Sequence, residues 1–203
     1  MPSCLSLVGN QDKRLNKLWS VSCVVAALCA FGSVGYSRVS AQAVLSAQGG
    51  FAVPVNADYA SNGGDITARL GRRIPIRSFW ETPELVFNYA TFASSTTNAG
   101  YPPGFEVIRG MFGVRLTFGG ILRPGIYGHL GLGRLNGAIG PTIQEVRRIS
   151  HTAFTWDGGV TLDLALSRNF ELGVHGAYSH LLGPGTRVDF RWLEFGGHLA
   201  LIF

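Results

Sequence analysis

From about residue 60 to the last residue, apolar side chains return at every second position, and this alternation constrains the fold more than any other feature. A period of two belongs to strands, whose successive side chains point to opposite faces. In the last segment Leu193, Phe195, Gly197, Leu199, Leu201 and Phe203 share one face, opposed by Trp192, Glu194, Gly196, His198, Ala200 and Ile202. Phe170, Leu172, Val174, Gly176 and Tyr178 alternate with Glu171, Gly173, His175, Ala177 and Ser179. Trp156 to Leu166, Ile126 to Gly133 and Phe112 to Phe118 repeat the pattern. Fainter versions run through Ile66–Gly71 and Glu84–Ala90, and a first strand is expected near Gly50 to Asn56, where Pro54 cannot donate to a ladder. The expectation is eight strands.

The segment ahead of these strands has another character. Lys13, Arg14 and Lys17 form a basic region, Cys23 to Phe31 is unbroken apolar, and Ala41-Gln42-Ala43 places small residues at the −3 and −1 positions of a peptidase site. Residues 1–43 are therefore expected to be a cleaved signal peptide, with residues 44–203 as the barrel domain. A lipoprotein anchor does not fit, because Leu28 stands before Cys29 where a small residue is needed. Removing this segment takes away Cys4, Cys23 and Cys29, both lysines and much of the positive charge, leaving 13 Arg against 11 acidic residues. Disulfide scaffolds and cysteine-ligated metals are excluded from the mature chain. A nucleic-acid partner loses its electrostatic basis.

The connections sort into two kinds. Tight ones are expected at Pro75–Pro83, Gly119–Arg123 and Ser167–Asn169, and longer ones at Asp58–Gly64, Ser94–Gly104, Asn136–Ser150 and Gly183–Arg187. They alternate along the chain, so one rim carries most of the loop mass. An even number of antiparallel strands with short turns at one end and longer loops at the other is the pattern of an outer-membrane barrel. The fold expected is all-β, an eight-stranded antiparallel up-and-down transmembrane β-barrel. The faces agree with that. The apolar face is nearly free of charge, with Arg72 and Arg134 at strand ends, and a lipid-facing Arg costs about 2–4 kcal/mol at the bilayer midplane but little near the interfaces. The second face mixes Gly, Ala and Thr with Arg, Asp, Glu and His, which suits a narrow lumen filled by side chains. Phe118, Phe170 and Phe203 gather at the tight-turn rim, and Trp156 and Tyr178 at the loop rim, as aromatic girdles would. A soluble lipocalin-like barrel that binds a small ligand is the alternative. It would turn the apolar face inward and charges outward, and only 14% of this chain is charged.

Gly197-His198-Leu199-Ala200-Leu201-Ile202-Phe203 resembles the C-terminal signal by which bacterial outer-membrane barrels are recognised for assembly. Pro83-Glu84-Leu85, Tyr127 to Gly133 and Glu171 to Tyr178 resemble strands of the small OmpA/OmpX-like porin superfamily. The resemblance covers most of residues 47–203. It implies an integral protein of a Gram-negative outer membrane, in contact with outer-membrane lipids and lipopolysaccharide. It also implies engagement with the barrel assembly machinery through the strand ending at Phe203. No periplasmic peptidoglycan-binding domain is expected after Phe203. The superfamily includes adhesins, anchors, small channels and a few lipid-modifying enzymes, so architecture does not by itself give activity.

The inward set expected from alternation contains Arg69, Arg73, Arg109, Arg115, Glu84, Asp157, Asp163, Glu171, Glu194, His129, His175 and His198. An eight-stranded barrel has an interior just wide enough for side chains, so these groups are expected to pair into a plug and not to line an open pore. His175 and His198, near Glu171 and Glu194, hold a residue set that could bind metal, but their spacing is no metal motif, and no cofactor is expected. Lipid-A deacylases carry a His and, two residues later, a Ser on one outward face. Ser179-His180 does not match, because adjacent residues of a strand point to opposite faces and Leu182 stands two after His180. No catalytic residue is assigned. The expected role is non-enzymatic: structural, surface-interacting through the loops, or limited passage of small solutes. A lipid-A-modifying enzyme is the alternative.

Overall fold

The computed structural model describes residues 41–55, 60–94, 104–139, 147–183 and 189–203. Most of the expected signal segment, residues 1–40, lies outside the described residues, as do 56–59, 95–103, 140–146 and 184–188 within the four longer connections. Eight strands follow in order: β1 Gln42–Pro54, β2 Ala60–Ile76, β3 Phe79–Ser94, β4 Phe105–Phe118, β5 Leu122–Ile139, β6 Arg147–Ala165, β7 Phe170–Leu181 and β8 Phe190–Ile202. Each pairs antiparallel with its neighbour in sequence, and β1 pairs with β8 to close the barrel. The sheet therefore has no open edge.

The register holds each face together. Across β4 and β5, Phe112 faces Leu130 on the outside while Gly113 faces His129 and Arg115 faces Tyr127 on the inside. Around the whole barrel the exterior is a continuous apolar surface, with Phe51, Ile66, Phe87, Leu132 and Val174 each more than half exposed. So large an exposed apolar surface marks a lipid-facing wall, not a water-facing one. The lipocalin arrangement, apolar within and charged without, is the reverse of what is found.

Phe118 and Phe203 stand exposed at the tight-turn rim, where Phe79 joins them at 5.7 Å from Phe118. Trp156 and Tyr178 pair at 5.6 Å toward the loop rim.

Several boundaries differ from those expected. The first strand is Gln42–Pro54, not Gly50–Asn56: Pro54 ends it, and its first half alternates Val44, Ser46 and Gln48 inward with Leu45, Ala47 and Gly49 outward. The outward Ala47 and Gly49 are small, so the alternation there is faint to a hydropathy reading. The Pro75–Pro83 connection narrows to Arg77–Ser78, with both prolines in strands. Pro75 lies past the end of β1, which pairs with β2 only as far as Gln42↔Arg73. At Pro83, which has no N–H to donate, the β2–β3 pairing skips from Gly71↔Glu84 to Ile74↔Glu81 without a change of register. Arg77 takes a φ of 47° to turn the chain, and Gly119, at φ 93°, begins the next tight turn. The expected loops Asp58–Gly64 and Asn136–Ser150 are shorter than anticipated, since β2 starts at Ala60, β5 runs to Ile139 and β6 begins at Arg147.

Candidate functional site

The lumen is layered. At its loop end Phe92, Phe105, Leu135, Leu181, Phe190 and Trp192 pack with Ala52, Ala60, Ala90 and Val107 into an apolar layer. Phe92 meets Phe190 edge-on at 4.9 Å, and Phe190 lies 5.3 Å from Trp192. These residues come from the loop-side ends of the strands, where the inward positions turn from polar to large and apolar. At the opposite end Val44, Ala200 and Ile202 form a smaller apolar cluster.

Between the two lies the polar network. All twelve inward residues expected from alternation are buried there, at 5% exposure or less apart from Glu84 at 6%. Arg109 is its hub. Its Nε donates to Asn88 Oδ1 at 2.9 Å, one terminal nitrogen donates to Ser179 Oγ at 2.8 Å, and the other is bonded to Glu194. Asp157 lies 3.7 Å away, and the guanidinium stacks 4.6 Å over the Trp192 ring. The Trp192 indole also donates to Glu194 at 2.6 Å, so one side chain belongs to both the apolar layer and the network.

Next below, His129 touches Asp157 through Nδ1 at 2.6 Å and Glu84 through Nε2 at 2.8 Å. A neutral imidazole has one donor, so two carboxylates at its two nitrogens require the trio to hold two protons. Arg115 donates to Glu84 at 3.2 Å, and Arg69 stacks 4.5 Å over Tyr127. Toward the tight-turn rim, Arg73 grips Glu171 with two bonds of 2.7 Å, and Arg123 binds the same carboxylate. Arg73 and Arg123 both lie over the Trp80 ring. Bidentate, charge-assisted bonds of this kind are the strong class.

The residues set aside above as no metal motif, His175 and His198 with Glu171 and Glu194, do not come together. The two rings lie 6.3 Å apart, but His175 accepts from Gln48 at 2.9 Å and His198 sits 3.0 Å from Asp163, while the two glutamates are taken by arginines. Among the described residues no group of His, Cys, Asp or Glu is arranged to hold a metal ion. Ser179 and His180 point to opposite sides of the wall. Ser179 Oγ donates to Glu194 inside the lumen at 2.9 Å, while His180 pairs with Asp189 beneath the outward Trp156 ring. Asp189 also binds Arg191.

Alternation alone missed several members of the network. Gln48 lies in the stretch of β1 read as preceding the first strand, and Arg123 belonged to an expected turn. Asn88 and Tyr127 were legible as inward positions but carry no formal charge to draw attention.

No protein-family model matches the sequence, and no curated protein matches it. Solved structures do. A major outer membrane protein from Thermus thermophilus aligns at a TM-score of 0.55 and 12% identity, over 81% of this chain and 100% of that one. Neisserial surface protein A (NspA) aligns at 0.53 and 12% identity, over 83% and 100%. Ail, the attachment invasion locus protein of Yersinia pestis, solved with the heparin analogue sucrose octasulfate, aligns at 0.53 and 14% identity, over 81% and 100%. At such identities the likeness establishes architecture, and that architecture is the closed eight-stranded barrel of small bacterial outer-membrane proteins.

Proposed function

We propose that the protein is an integral outer-membrane barrel, delivered by a cleaved signal peptide, whose lumen is closed and whose work is non-enzymatic. It strengthens the membrane and presents its longer loops for interaction at the cell surface. The observation that carries this reading is the filled lumen: an aromatic layer at the loop end above an ion-paired network. An open pathway for solutes would have to breach both. The apolar exterior supports contact with outer-membrane lipids and lipopolysaccharide, and the final strand ending at Phe203 supports recognition by the barrel assembly machinery. Neither role requires a cofactor.

Planar-bilayer recordings test the closed lumen. The purified barrel is expected to give no stable single-channel steps, and reproducible conductance would replace the plug with a small-solute passage role. Deacylation or other modification of purified lipid A, abolished by His180→Ala, would replace the non-enzymatic reading with an enzymatic one.

A further inference from the structure

We propose that the exported chain is cut between Ala41 and Gln42, so that the mature protein begins at Gln42 and not at Val44. This rests on the reading above that a signal peptide is removed, and it moves the cut two residues upstream of the site suggested by Ala41-Gln42-Ala43.

The barrel needs the two residues that a cut after Ala43 would remove. Ala43 closes the seam between first and last strands: its N–H donates to the Phe203 carbonyl at 3.2 Å, and the Phe203 N–H donates to the Ala43 carbonyl at 2.9 Å. On its other side, Gln42 faces Arg73 and Ala43 faces Arg72. The β2–β3 pairing skips these same two arginines, opposite Thr82 and Pro83. Gln42 and Ala43 are thus the ladder partners of Arg72 and Arg73, and without them that stretch of β2 backbone would be unpaired on both sides. Strand backbone left without partners on both sides gives up the ladder bonds that the closed sheet makes there. Arg73 is also the residue that grips Glu171, so the loss would reach the lumen network.

The new charge argues the same way. A cut after Ala43 would put the new ammonium on Val44, inside the stretch of β1 paired on both sides, opposite Gly71 and Ile202. A cut after Ala41 puts that ammonium on Gln42, which is exposed at the rim. A charge that keeps its water avoids the desolvation penalty of a buried one.

The peptidase reads sequence, and the sequence permits the earlier cut. Val39 and Ala41 supply small aliphatic residues at −3 and −1. Ala41 is the −1 residue of one site and the −3 residue of the other, which is why spacing alone does not separate them.

The test is N-terminal sequencing and intact mass of the protein extracted from outer membranes of a Gram-negative host. A start at Gln42, free or cyclised to pyroglutamate, is the expected result. A start at Val44 would overturn the proposal and leave export standing, whereas a mature chain that retains its first forty residues would overturn the export reading itself. Two variants sharpen the outcome. Ala43→Leu puts a large side chain at −1 of the later site only, and since Ala43 faces outward the barrel should still form; processing at Gln42 should persist. Val39→Asp puts a charge at −3 of the earlier site only and should abolish the Gln42 product. Blocked processing in Ala43→Leu, or an unchanged product in Val39→Asp, would overturn the assignment.

Discussion

Arg109 shows what a buried charge requires in this lumen. It has five N–H donors and no acceptor, and it is 1% exposed, so each donor must be met from within the wall. Asn88, Ser179 and Glu194 each accept from one of its three nitrogens, and the Trp192 face stacks on it, so its partners come from three other strands. Removing it strands Glu194 without its cation. Breaking a buried pair from one side costs about 3–5 kcal/mol, whereas replacing both partners by apolar groups of similar size is often near neutral. Arg109→Ala is therefore expected to lose about 3–5 kcal/mol in urea unfolding of the reconstituted barrel. Arg109→Met with Glu194→Met should recover most of it. A single variant as stable as the parent would mean that the network contributes little. The sequence told which side chains point inward, because that needs only parity. It did not tell that His198 would meet Asp163 over the bare Gly173 between them, or that Glu171 would be shared by Arg73 and Arg123, since those contacts depend on the register of strands that are not neighbours in the chain.

At the scale of the strand, glycines on the two faces do opposite work. Gly113 points inward, and a Cβ there would lie 2.6 Å from His129 Cδ2 and 2.0 Å from the Gly128 carbonyl oxygen. Its absence of side chain is the space that His129 occupies between Glu84 and Asp157. Gly110 points outward, and a Cβ there would meet nothing within 4 Å. Gly113→Val should push His129 from its carboxylates and destabilise the barrel by about 1–3 kcal/mol, the usual cost of overpacking. Gly110→Val adds a β-branched residue to a lipid-facing strand and should be neutral or stabilising. Comparing their unfolding midpoints checks the assignment of faces; equal effects would contradict it. Strand existence was legible where the outward residues are large, from Phe112 to Phe118 or Phe170 to Tyr178. It was misplaced at β1, where Ala47 and Gly49 carry too little hydrophobicity to make an alternation visible.

For the whole molecule, closure is the property to test. A barrel with every strand paired, including β1 with β8, should resist SDS at room temperature and change its gel migration only on heating. Fractionation should place it with detergent-extracted membrane proteins. Extraction of the intact protein in aqueous buffer alone would contradict the apolar exterior. Period-two alternation, sparse charge and alternating loop lengths determined by themselves that the chain makes strands, that one face meets hydrocarbon, and which side chains turn inward. These are local properties, fixed by the parity of the backbone and the solvent on each side. Only the tertiary structure decided the seam of Ala43 with Phe203, the pairing of charges across the lumen and the apolar layer at its loop end. Each of those depends on the register in which eight strands close, and a closed register is a condition on the whole ring that no single strand can state.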